Sequence, residues 1–206
     1  MRVALIDYRA GNLTSVKKAF AAIGADLFIP AEPAELRTAG AIVVPGVGHF
    51  AATQALTPAW MDAIRAEVDA GRPLLGICLG MQWLFEGSDE APDCAGLSVL
   101  AGRCYRLASE SNGTSVKIPH VGWNALEVRR GDSIVKGVPP GAQVYFTHSF
   151  VAPMTADTVA VTEHGRPFAA IVQRDRVAGV QFHPEKSGEV GLRILRNFLR
   201  LANQPR

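Results

Sequence analysis

The 206-residue sequence predicts an α/β fold: a three-layer, mostly parallel sheet with helices on both faces and an added β-rich portion. Three observations predict it. As far as Phe85, short apolar runs alternate with helical patterns in the order β-α-β-β-α-β-α, the order that builds a parallel sheet covered on both sides. After Gly87 the pattern changes to short β-like runs separated by turns. Hydrophobic residues make up 48% and charged residues 19%, enough apolar material for a packed core. At this length one domain over residues 1–206 is expected, with no internal repeat and no low-complexity linker.

Taken in order, Val3 to Ile6 reads as the first strand, an apolar run stopped by Asp7 and too short for a secretory leader. Asn12 is placed to cap a helix whose apolar face is Leu13, Val16, Phe20 and Ile23, ended by Gly24. Asp26 to Ile29 and Ala41 to Val44 are two further strands. Pro58 to Ala70 reads as a helix with Trp60, Met61, Ile64 and Val68 turned inward. Pro73-Leu74-Leu75 begins a buried strand that turns into a helical run from Leu79 to Phe85. The second half then offers strands at 99–107, 123–128, 143–151, 158–163, 169–173 and 177–182. A closing helix over 189–201 carries Val190, Leu192, Leu195, Phe198 and Leu199.

Composition excludes several classes. A net charge of +2 with no cluster of Lys and Arg argues against a nucleic-acid surface. No apolar stretch approaches the ~20 residues needed to span a bilayer. Three scattered cysteines without a C-x-x-C pair argue against a disulfide framework and a structural zinc site. A cytoplasmic protein is expected, with a free thiol and without metal or cofactor. For Cys94 and Cys104 the plain reading is a small buried hydrophobe.

Cys78 is different. It sits in Gly76-Ile77-Cys78-Leu79-Gly80-Met81-Gln82, the cysteine form of the strand-turn-helix motif that holds a nucleophile exposed on a sharp turn. The flanking glycines suit a turn with no room for side chains. A helix N-terminus at the sulfur favours thiolate over thiol. His183-Pro184-Glu185 supplies the missing base and its orienting carboxylate. His183 follows the strand-like Val180-Gln181-Phe182, and strand ends are where open α/β sheets carry their chemistry. In extended backbone His183 and Glu185 would point to the same side. An attacking thiolate also generates an oxyanion. Val43-Val44-Pro45-Gly46-Val47-Gly48, a strand breaking into glycines, and the N–H of Leu79 can supply its donors.

Together the elbow, the Pro-Gly-Val-Gly loop and the His-Pro-Glu end resemble class I (triad) glutamine amidotransferases, which hydrolyse glutamine and pass ammonia to a synthase. Three more segments resemble the glutaminase subunits of imidazole glycerol phosphate synthase. These are Ile6-Asp7-Tyr8-Arg9-Ala10-Gly11-Asn12-Leu13-Thr14-Ser15-Val16, Pro45-Gly46-Val47-Gly48-His49-Phe50 and Pro119-His120-Val121-Gly122-Trp123-Asn124. The likeness runs from the first strand to the last helix and departs at Arg9, where that family more often has glycine. It implies Cys78 as nucleophile, His183 as base and then acid, and Glu185 as its orienting partner. It implies oxyanion donors at Val47 and Leu79, the first after a backbone rearrangement of its strand. Gly46, Gly48, Gln82, Glu90, His148, Ser149 and Phe150 would hold glutamine, Phe150 standing where tyrosine is common.

Asn12, Trp123, Asn124, Tyr145 and Lys186 fall where that family meets its partner, a (β/α)₈-barrel cyclase in a heterodimer. The alternatives for four of them are a helix cap for Asn12, core packing for Trp123 and Tyr145, and a solvated cation for Lys186. The chain leaves no residues for a barrel, so the cyclase is expected on a separate polypeptide. Other roles stay open: the amidotransferase subunit of an anthranilate, aminodeoxychorismate or pyridoxal phosphate synthase, a stand-alone cysteine or γ-glutamyl hydrolase, or a silent binding module.

Overall fold

The computed structural model describes residues 1–111 and 113–202. Eight strands form the central sheet, in the spatial order Glu127–Val128, Thr158–His164, Arg166–Arg174, Val177–Val180, Leu74–Ile77, Ala41–Val44, Arg2–Leu5 and Asp26–Phe28. The last five run parallel. The first three are antiparallel additions at one edge.

Side chains alternate across the pleat, so each parallel strand contributes to two cores. Val3, Leu5, Val43, Ile77 and Val180 face the core completed by helix α1 (Leu13–Ala22) and helix α4 (Gly188–Ala202). Ala4, Ile42, Val44 and Leu74 face the core completed by helix α2 (Pro58–Asp69) and helix α3 (Leu79–Trp83). The strands are unbroken apolar runs because both faces are covered.

The first half follows the sequence pattern to within a residue or two, and α3 is shorter than expected, ending at Trp83. The second half departs further. The run expected at 123–128 is two strands: His120–Ala125 pairs with Gln143–His148, while Glu127–Val128 joins the central sheet. The run expected at 143–151 likewise breaks at Ser149, and Phe150–Val151 pairs with Arg103–Arg106. Alternation reports which side of a segment is buried, not which neighbour supplies its hydrogen bonds, so it continues across such changes of sheet. The strand expected at 99–107 begins only at Arg103, after Gly102 at φ +100°.

What matters for chemistry is the edge at which the parallel strands finish. Val44, Ile77 and Val180 end three neighbouring strands on the same side of the sheet. The Pro45–Gly48 loop, Cys78 and the segment leading to Glu185 therefore emerge together, at the carboxyl end of the strands.

Candidate active site

Cys78 stands between the Leu74–Ile77 strand and α3 with φ 53° and ψ −108°, a strained conformation for a side-chain-bearing residue. Its N–H donates to the Val180 carbonyl at 2.7 Å, and its carbonyl accepts the Gln82 N–H at 3.1 Å. The strain is carried by the cysteine itself; the neighbouring glycines answer a lack of space. A Cβ at Gly76 would lie 2.5 Å from the Gly80 oxygen, and one at Gly80 would overlap the Val44 carbonyl. Because α3 has only five residues, its dipole at the sulfur is small.

His183 is fixed by its backbone: its N–H donates to Tyr145 C=O at 2.9 Å and its carbonyl accepts the Ser187 hydroxyl at 2.7 Å. The pairing with Glu185 is not made in extended backbone as the strand pattern suggested. Pro184–Lys186 is a 3₁₀ turn, and this turn brings His183 Nδ1 to 2.8 Å from Glu185 Oε1, with both side chains buried. Among the described residues, His183 Nε2 and Glu185 Oε2 find no hydrogen-bond partner, and both are buried. Burial lowers the imidazole's proton affinity, but Cys78 beside the ring and the Glu185 carboxylate outweigh it, and the pKa is pushed up to about 10.

Both N–H groups expected to serve an oxyanion, Val47 after a rearrangement and Leu79 directly, are engaged elsewhere. The Val47 N–H donates to Ala10 C=O at 3.2 Å, and the Leu79 N–H donates to Gly46 C=O at 3.3 Å. Gly46 is packed tightly, since a Cβ there would overlap the Tyr8 hydroxyl. That hydroxyl is buried without a hydrogen-bond partner among the described residues, and burial followed by the charge of Cys78 pushes its pKa far above the ordinary tyrosine value.

A cavity of about 230 Å³ opens on Cys78. Gly48, Leu79, Gln82, Glu90, His148, Ser149 and Phe150 line it, together with Thr147, which the sequence did not single out, and Pro119, which it singled out only as part of the Pro119–Asn124 segment. Gln82 gives its two Nε2 hydrogens to Phe150 C=O (2.8 Å) and Gln181 Oε1 (3.1 Å), so toward a ligand it can only accept, through Oε1. Glu90 Oε2 accepts the Phe50 N–H at 2.8 Å, leaving Oε1 for a cationic group. Gly46, Val47, His183 and Glu185 instead border a cavity of about 30 Å³, beside Asn12 and Lys186. Grooves of about 610 and 670 Å³ are lined by other segments and do not reach Cys78.

Near the site, Trp123 is 56% exposed, which excludes core packing for it. Its ring meets Tyr145 edge-on at 6.1 Å, and Lys186 Nζ lies 5.5 Å from the Tyr145 ring centroid. With exposed Val121 these residues form an apolar and aromatic patch. Asn12 caps α1, accepting the Ser15 N–H at 3.3 Å. Asn124 is held within the chain, donating to Glu163 C=O at 2.8 Å. Cys94 and Cys104 are buried and unpaired, and burial pushes the Cys104 thiol far up.

The family model "Glutamine amidotransferase class-I" matches residues 4–202. The imidazole glycerol phosphate synthase subunit HisH of Syntrophotalea carbinolica is 43% identical over 95% of this chain and 98% of its own length. That of Methanosarcina acetivorans is 41% identical over 97% and 98%. Among solved structures, a glutamine amidotransferase superposes with TM-score 0.75 at 23% identity, covering 98% of this chain and 99% of that one. PurLQS from Thermotoga maritima superposes with TM-score 0.73 at 19% identity over 97% of each chain, a likeness of fold.

Proposed function

Because this chain belongs to the class I glutamine amidotransferase family, on its branch of imidazole glycerol phosphate synthase HisH subunits, we propose that Cys78, His183 and Glu185 hydrolyse glutamine and that the ammonia passes to a separate cyclase subunit. The observation that carries this reading is the sulfur of Cys78, held in strained backbone and near enough to the His183 imidazole to raise its proton affinity, while the ring's other side is bonded to a buried carboxylate. The Cys78 sulfur attacks the carboxamide carbon, and the C–N bond breaks as His183 gives its proton to the leaving nitrogen. A γ-glutamyl thioester remains. Water, losing a proton to His183, attacks it and releases glutamate. The raised proton affinity of His183 suits the first step, because the proton is already on the ring when the amine departs.

Stabilising the tetrahedral oxyanion requires the Gly46–Val47 peptide to turn. As it stands, the Gly46 carbonyl occupies the Leu79 N–H and Val47 donates to Ala10. Each such donor is worth about 3 kcal/mol of barrier, so the isolated subunit has low basal turnover. A partner docked on the patch of Trp123, Val121, Tyr145 and Lys186 lies beside the Asn12–Lys186 cavity, where it can bias that peptide. We assign the partner as a (β/α)₈-barrel cyclase that uses the ammonia to form imidazole glycerol phosphate and an aminoimidazole carboxamide ribonucleotide.

Replacing Cys78 by Ala tests the assignment. Glutamine-dependent synthesis by the complex should vanish while synthesis from added ammonium salt persists. Loss of both activities would make Cys78 structural, and full glutamate release without any partner would make the chain a stand-alone hydrolase.

A further inference from the structure

Two histidines and two glutamines, largely buried, connect Asn124 to the nucleophile, and each fixes the orientation of the next. Asn124 Oδ1 accepts the Ala125 N–H at 2.8 Å, which sets the direction of its amide. Its two Nδ2 hydrogens then go to Glu163 C=O (2.8 Å) and His120 Nε2 (3.3 Å). With Nε2 accepting, a neutral His120 carries its proton on Nδ1 and donates it to His148 Nε2 at 3.2 Å. His148 must in turn be protonated on Nδ1, which donates to Phe150 C=O at 3.1 Å. That carbonyl also accepts one hydrogen of Gln82, and the other goes to Gln181 Oε1. Gln181 is thereby left to donate its Nε2 hydrogen to Cys78 Sγ at 3.7 Å. Every assignment agrees with both neighbours. Burial, followed by the charge of neighbouring histidines, keeps the two rings neutral: His120 is pushed down to about 4 and His148 to about 3.

We propose that this chain of hydrogen bonds positions the nucleophile, with Gln181 holding the Cys78 sulfur and His120 a positioning residue that acts through His148, Phe150 and Gln82 to keep that donor aimed. Gln181 is fully buried, so its N–H is aimed at the sulfur without competition from solvent. A donor to the charged form of a group favours that form, and α3 is too short to do so through its dipole. The inference deepens the glutaminase reading and rests on it only for turnover.

The test follows Cys78 alkylation by iodoacetamide against pH in the isolated subunit, and glutamate release in the complex with its cyclase. Three variants are compared: Gln181→Met, which keeps volume and removes the donor, His120→Phe, and Asn124→Leu at the outer end. For Gln181→Met the midpoint of the alkylation profile should rise by about one pH unit, with kcat down roughly tenfold and KM for glutamine within about twofold. His120→Phe and Asn124→Leu should move the midpoint in the same direction by less. A folded Gln181→Met with an unchanged profile overturns the proposal, as does a shift there that neither outer variant shares. Should Gln181→Met not fold, Asn124→Leu decides, an unchanged profile being fatal. A wild-type complex that alkylates normally yet releases no glutamate would sink the glutaminase reading instead, leaving the relay to be judged on the sulfur alone.

Discussion

His183 gives the site an unusual pH signature. Its proton affinity is about 10 in the folded chain, against an ordinary value of 6.5. The folded state therefore binds more protons than the unfolded between those limits. The contribution to stability is complete below about pH 6.5 and disappears as pH climbs through about 10. Thermal unfolding of wild type should thus lose ground to His183→Gln across that window, and parallel curves would contradict it. His120 and His148 act oppositely: their depressed values add stability above about 6.5 that fades as pH drops toward 4 and 3. Cys78, His183 and Glu185 could be singled out in sequence because glycine spacing and a His-Pro-Glu end are local signals. Gln181 could not. Its one clue was a polar residue inside an apolar run, and what it touches depends on residues a hundred positions away. The resemblance implied that Val47 must rearrange before it donates, but the partners that occupy the Val47 and Leu79 amides were hidden, because a backbone amide's partner is a matter of tertiary contact.

Among elements, the junction of the Ala41–Val44 strand with α3 is the tightest. Gly80 packs so closely on the Val44 carbonyl that a single added carbon has nowhere to go, and the obstacle is main chain that cannot swing aside. Gly80→Ala should cost more than about 2 kcal/mol in urea unfolding and abolish turnover along with it. A variant of normal stability would show that strand and helix can slide apart. Helices α1, α2 and α4 were legible almost to their ends, since each has an apolar stripe and flanking Asn, Pro or Gly signals. Strands of the second half were legible as extended and half-buried, but not as members of particular sheets. The hairpin of Gly87–Ser88 with Ala91–Ala95 escaped notice, as it is short and irregularly paired.

For the whole molecule, the exposed indole of Trp123 separates folding from assembly. Trp123→Ala should shift the unfolding temperature by no more than about 2 °C while weakening the complex by about 2 kcal/mol or lowering its activation. Unchanged assembly and activation would remove Trp123 from the docking face. The α/β layering was foreseeable from the order of elements, whereas the contact between distant segments that makes the site was inferred from chemistry alone. The loop after Val44, the thiol at 78 and the imidazole at 183 are neighbours only because Val177–Val180 docks beside Leu74–Ile77. A ribosome must therefore have released the chain through Glu185 before the thiol and the imidazole can meet. Products terminated before residue 183 would carry the sulfur without the imidazole beside it.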